Sequence, residues 1–126
     1  MLFIDNPVGT PYSYTDNLAN APSTAIASAQ DLVTGINIWF SNGFFSEYKS
    51  NDLYFFGESY GGKYVVALAT QVMNNPLAQN WNLKGIGMGN AWVAPDIQES
   101  IYGNMGYTIG ILGYSNVLSI NKYGCN

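Results

Sequence analysis

The residues best suited to chemistry are Gly57-Glu58-Ser59-Tyr60-Gly61, a G-x-S-x-G pattern. A serine hydroxyl becomes a useful nucleophile when it stands clear of the backbone on a sharp turn between a strand and a helix. Such a turn is tight, so small residues are expected two before and two after the serine. The positive end of the helix dipole and the backbone N–H of the next residue, Tyr60, then favour the oxyanion formed in acyl transfer. The same five residues also fit a glycine-rich turn that packs a helix on a strand. Spacing alone does not choose between these readings.

The neighbours sharpen the question. A carboxylate at Glu58 would oppose an oxyanion unless it carries a proton or shares one with a second carboxyl group. A protonated Glu58 can hydrogen-bond a substrate carboxylate. The plain alternative is an acid at a helix start, where acids are common. Lys63 follows Ser59 by four residues, one more than the S-x-x-K spacing of lysine-based serine enzymes, and reads as a solvated helix lysine. The chain contains no histidine. Triad chemistry needs a base within hydrogen-bond reach of the serine, and no residue in these 126 qualifies.

The elements that must position Ser59 follow from apolar spacing. "LYFFG" (53–57) reads as a buried strand, and "YGGKYVVALATQVMNN" as a helix that ends before Pro76. "MLFI" (1–4) reads as another strand, followed by the turn-rich "DNPVGTP" and a loop through "YSYTDNLANAPS". From Thr24 to Phe40, Ile26, Ala29, Val33, Ile36 and Phe40 recur at helical spacing, with Leu32 and Trp39 beside them. Ser23 is the expected N-cap. "LKGIGMGN" (83–90) is a third strand, and "DIQESIYGNMGYTI" and "SNVLSINKYG" are later helices. The order strand, helix, strand, helix, strand predicts an α/β layer with a parallel sheet. Three strands leave both sheet edges unpaired, which natural proteins avoid, so the chain reads as a piece of a larger domain.

Composition removes other classes. The net charge is −4, with eight acids, four lysines and no arginine, so no basic patch exists to bind nucleic acid. Apolar residues make up 48% and charged residues 10%, which is the balance of a globular chain. Gly, Asn and Ser break every apolar run short of membrane-spanning length. The start "MLFIDNP" lacks the features of a signal peptide, and no N-x-S/T site occurs. The single cysteine, Cys125, is either a buried thiol or half of a disulfide with a partner off this chain.

Three segments together carry a resemblance. "GESYGGKYV", with "MLFIDNPVGTPYSYTD" before it and "NLKGIGMGNAWVAPD" after it, resembles the serine carboxypeptidases of the α/β-hydrolase fold. "FFSEYKSNDLYFFGES" and "IGILGYSNV" extend the similarity along nearly the whole chain. The resemblance implies a partial α/β-hydrolase fold, with residues 1–126 as the central section of one domain. It implies Ser59 as the acyl-forming nucleophile and the Tyr60 backbone N–H as an oxyanion donor. Glu58 would recognise the C-terminal carboxylate of a peptide as a protonated acid. Tyr60, Trp92 and Tyr102 would wall the pocket for the penultimate residue.

The resemblance calls for no cofactor and no metal. It places the protein in the secreted or vacuolar/lysosomal setting. The family's triad Asp and His lie past the point matching Asn126, and Cys125 falls near a cysteine that the family pairs with a distant one. Some residues depart from the pattern: Pro11 stands for a usual Gly, Gly61 for Ala, Val66 for Pro, and Ala91 and Ala94 for Gly and Asp. The expected partners are peptides with a free C-terminal carboxylate, and either further segments of the domain or an unknown protein to complete the sheet. Two alternatives stay open: a non-catalytic remnant acting as a binding protein, and a carboxypeptidase-like acyltransferase.

Overall fold

A computed structural model of the chain describes residues 1–42 and 45–123. Cys125 lies outside the described residues. The chain forms two compact units, Met1–Ala91 and Trp92–Asn126.

The first unit is built on two parallel strands, β1 (Leu53–Glu58) and β2 (Leu83–Gly89), paired from Leu53↔Leu83 to Glu58↔Gly89. Helix α1 (Ala25–Ser41) precedes the pair, and helix α2 (Tyr60–Asn74) connects the two strands. A parallel pair needs such a crossover, and the 15 residues of α2 provide it. The core gathers Ala29, Val33, Ile36 and Phe40 of α1, Phe55 of β1, and Val65, Leu68 and Val72 of α2. Ala78 and Trp81, from the loop before β2, close it. Phe40 and Trp81 meet edge to face, with ring centroids 5.9 Å apart. Helices at this spacing bury a stripe, and four of the five expected positions on α1 are indeed buried. The exception is Ile26, 61% exposed in the first turn of the helix.

Two expectations need correction. The α1 N-cap is Thr24, whose hydroxyl oxygen accepts the Ala27 N–H at 3.1 Å, so the cap lies one residue later than Ser23. The "MLFI" run is not a strand. Backbone N–H and C=O groups need a ladder partner to make one, and among the described residues none pairs with this segment. Its side chains are correspondingly open, Phe3 at 85% exposure. The loop that follows is held locally. The Ser13 hydroxyl donates to the Asp5 carbonyl at 2.6 Å, and the Asp5 carboxylate accepts the Tyr12 N–H at 3.1 Å. The buried Ser28 hydroxyl of α1 donates to Asn6 Oδ1 at 2.7 Å, tying the loop to the helix.

Side chains alternate across the strands. Phe55 points into the core at 8% exposure, whereas Phe56 is 78% exposed. Tyr54 shares the open face with Phe56, over their register partners Gly85 and Gly87, whereas Ile86 and Met88 pair with Phe55 and Gly57 and lie on the other face. Apolar residues on both faces are the mark of a parallel sheet built to be covered twice.

The second unit is helical. It runs through α3 (Pro95–Gln98), a 3-10 turn (Glu99–Ile101), α4 (Tyr102–Thr108) and α5 (Tyr114–Tyr123), which matches the two late helical segments expected. Pro95 opens α3, where a missing N–H costs nothing. Gln98 Oε1 accepts the N–H groups of Val93 and Ala94, at 3.0 and 2.9 Å. Gly103 lets α4 approach α5, since a Cβ there would meet Ile120 Cγ2 at 3.0 Å.

Candidate active site

Ser59 sits between the last residue of β1 and the first of α2. Its backbone has φ 56° and ψ −123°, a region that L residues rarely enter. Holding a non-glycine residue there costs on the order of 1–3 kcal/mol, so the surroundings must impose it. Two hydrogen bonds do so. The Ser59 N–H donates to the Gly89 carbonyl of β2 at 3.0 Å, and the Ser59 carbonyl accepts the Gly62 N–H at 3.1 Å. The side chain makes no cap bond to the helix, which leaves Oγ exposed at the carboxyl end of the sheet. This is the strand-turn-helix that the G-x-S-x-G pattern needs in order to present a nucleophile.

The glycines explain why the turn closes, and they are not equivalent. A Cβ on Gly57 would collide with the Gly61 carbonyl and would lie 2.8 Å from Val65 Cγ2. Gly57 is therefore required by the turn. Gly61 is not, because a Cβ there would meet nothing within 4 Å. The expectation of a small residue on both sides holds for the first glycine alone; at the second, the backbone makes the contact. Gly62 is the constrained glycine that the pattern did not reveal. A Cβ on it would collide with that of Ala91.

Glu58 is the last residue of β1, exposed, opposite Gly89 in the register. Tyr60 starts α2, so the positive end of the helix dipole lies at Ser59. The Tyr60 ring tilts against Tyr64 at 4.9 Å, and the Lys63 ammonium lies 5.3 Å from the Tyr60 ring centroid. Lys63 is half-buried in this cation–π contact, so it is not the fully solvated lysine expected. Burial, and then the neighbouring Tyr60 phenol, push the Tyr64 hydroxyl pKa above its ordinary value. Glu58, Ser59 and Tyr60 thus share one turn. Trp92 and Tyr102 belong to the second unit, Trp92 half-buried and Tyr102 53% exposed at the start of α4. Among the described residues no group of His, Cys, Asp and Glu is placed to hold a metal ion. No described helix is long and apolar enough to cross a membrane.

A parallel strand, a strained serine and a helix starting one residue later are the geometry that the G-x-S-x-G pattern calls for. The sequence profile of the serine carboxypeptidases matches residues 1–126, and the chain belongs to that family. It is 37% identical over 117 residues to the pheromone-processing carboxypeptidase of Sordaria macrospora, covering 89% of this chain and 17% of that protein. It is 38% identical to the pheromone-processing carboxypeptidase of Neurospora crassa over 134 residues, covering 99% of this chain and 20% of the relative. It is 42% identical over 114 residues to the "Probable serine carboxypeptidase CPVL" of Pongo abelii, covering 89% of this chain and 24% of the relative. The chain spans 17% to 24% of the length of these curated relatives.

Proposed function

We propose that this chain is the central section of a serine carboxypeptidase domain of α/β-hydrolase fold, and that Ser59 is its nucleophile. The observation that carries the reading is the Ser59 backbone, held at φ 56° between a strand and a helix. Ser59 Oγ attacks the carbonyl carbon of the last peptide bond. The C–O bond forms, the carbonyl oxygen becomes an oxyanion, and the Tyr60 backbone N–H stabilises it. Collapse of this intermediate breaks the C–N bond as the leaving nitrogen takes up the proton given up by Oγ, releasing the C-terminal residue with a free amine. The acyl group stays on Ser59 until water attacks it, giving the shortened peptide and restoring the hydroxyl. The proton from Oγ goes to a base outside these 126 residues, which contain no histidine.

Glu58 recognises the terminal carboxylate. A carboxyl group binds a carboxylate only by donating a proton in the hydrogen bond, so binding uses the protonated Glu58. Tyr60 borders the pocket for the penultimate residue and gives it an apolar preference. The bare face of the two-stranded sheet is covered, and its edges paired, by further segments of the same protein. Membership of the family supports a setting in the secretory route or in a vacuole or lysosome.

The test uses the complete protein and a pair of peptides differing only in a free or amidated C-terminus. Wild type is expected to release the last residue from the free-acid peptide and to act poorly on the amide. Glu58→Ala, which removes the donor, should raise KM for the free acid by about 10- to 100-fold, the value of one charged-group hydrogen bond, and change the amide little. Equal loss on both peptides would remove Glu58 from carboxylate recognition. No release from either peptide by the wild type would overturn the function itself.

A further inference from the structure

Among the described residues, two that are not glycine have a positive φ: Ser59 at 56° and Asn90 at 43°. They are neighbours. The Ser59 N–H donates to the carbonyl of Gly89, the residue before Asn90. Strands in a sheet run about 4.8 Å apart, so the Asn90 backbone lies roughly one strand spacing from the serine. It follows directly on the carboxyl end of β2, the end at which parallel α/β sheets bind their ligands.

A left-handed residue is cheapest as glycine. This strand uses glycine freely, at Gly85, Gly87 and Gly89. Yet the position with the left-handed backbone carries a side chain. Asparagine tolerates this conformation better than most residues and brings a carboxamide with two donors and one acceptor. That carboxamide is exposed and has no hydrogen-bond partner among the described residues. The group is therefore not used to hold the fold, although glycine would serve the backbone better.

We propose that Asn90 is a substrate-positioning residue of the Ser59 site, hydrogen-bonding the main chain of the bound peptide through its carboxamide. This rests on the reading of Ser59 as the nucleophile of a peptide hydrolase. Peptide main chain offers the matching N–H and C=O groups. A residue one strand away from the attacking hydroxyl is well placed to fix the scissile carbonyl against it.

Asn90→Gly in the complete protein separates side chain from backbone, because glycine keeps the left-handed turn and removes the amide. Two rates are compared: peptide hydrolysis, and phosphonylation of Ser59 by a small alkyl fluorophosphonate. The second reaction forms the O–P bond with loss of fluoride and needs no peptide contact. The expected result is a fall of about tenfold in kcat/KM for peptide, mostly in KM, with the phosphonylation rate unchanged. Asn90→Asp also suits the backbone and removes the donors, so it gives the same reading if the glycine variant is poorly produced. Unchanged peptide hydrolysis would overturn the proposal and leave Asn90 as a turn residue. An equal fall in both rates would also overturn it, since the residue would then act by shaping the turn. Ser59→Ala is run alongside. If it abolishes hydrolysis while Asn90→Gly keeps it, only this inference fails. If Ser59→Ala keeps hydrolysis, the reading of the site falls and the proposal with it.

Discussion

Phe55 and Phe56 are adjacent on one strand and have opposite surroundings. Phe55 packs among Val65, Leu68 and the α1 side chains at 8% exposure, while Phe56 faces outward at 78%. The difference separates what these residues build unaided from what they leave for something else to complete. The covered side supplies everything that shapes the Ser59 turn: the Gly57–Gly61 contact, Val65 behind it, and the Gly62–Ala91 contact. The open side presents two large aromatic rings, Tyr54 and Phe56, beside Gly85 and Gly87, and has no cover among the described residues. The geometry of the Ser59 turn is therefore local, and on the proposed reading the base that acts on it is not.

Several substitutions sharpen that contrast. The largest effect is expected from Ser59→Ala in the complete protein. Loss of a triad nucleophile should cut peptide hydrolysis by roughly a factor of 10⁶, and the melting temperature should stay close to that of wild type. Next come the paired phenylalanines. Phe55→Ala should cost about 3–5 kcal/mol in denaturant unfolding. Phe56→Ala should cost within about 0.5 kcal/mol in the 126-residue chain, as at other exposed sites, but approach the Phe55 value in the complete protein. A small Phe56 cost in both would mean that the open face is never covered.

The glycines come third. Gly57→Ala should destabilise by about 1–3 kcal/mol, because the Cβ collides with backbone that cannot swing away. Gly61→Ala should stabilise by about 0.5 kcal/mol, because alanine is the better helix former and its Cβ meets open space. Equal costs at the two positions would contradict the asymmetry of the turn. Thr24→Ala, which removes the α1 N-cap, should cost about 1 kcal/mol by the same unfolding measurement.

Much of this was legible in the sequence, for physical reasons. β1, α2 and β2 lie where apolar spacing, the glycines and Pro76 place them, since those signals act over a few residues. The strand read from "MLFI" failed because an apolar run states a preference for burial, whereas a strand also requires a hydrogen-bonding neighbour. Ser23 and Thr24 are both good caps, and only backbone geometry selects Thr24. Gly62 could not be ranked above Gly61 by pattern, because its constraint comes from Ala91, far along the chain. Asn90 was hidden in the same way. Its left-handed backbone exists only in the fold, and an asparagine after a strand reads as an ordinary turn residue.

The most direct measurement is mass spectrometry of the complete protein after reaction with a fluorophosphonate. Trypsin cleavage after Lys49 and Lys63 releases a peptide that contains both Ser50 and Ser59. The account predicts one adduct, on Ser59, that appears as carboxypeptidase activity disappears. An adduct on Ser50, or full loss of activity with Ser59 unmodified, would contradict it.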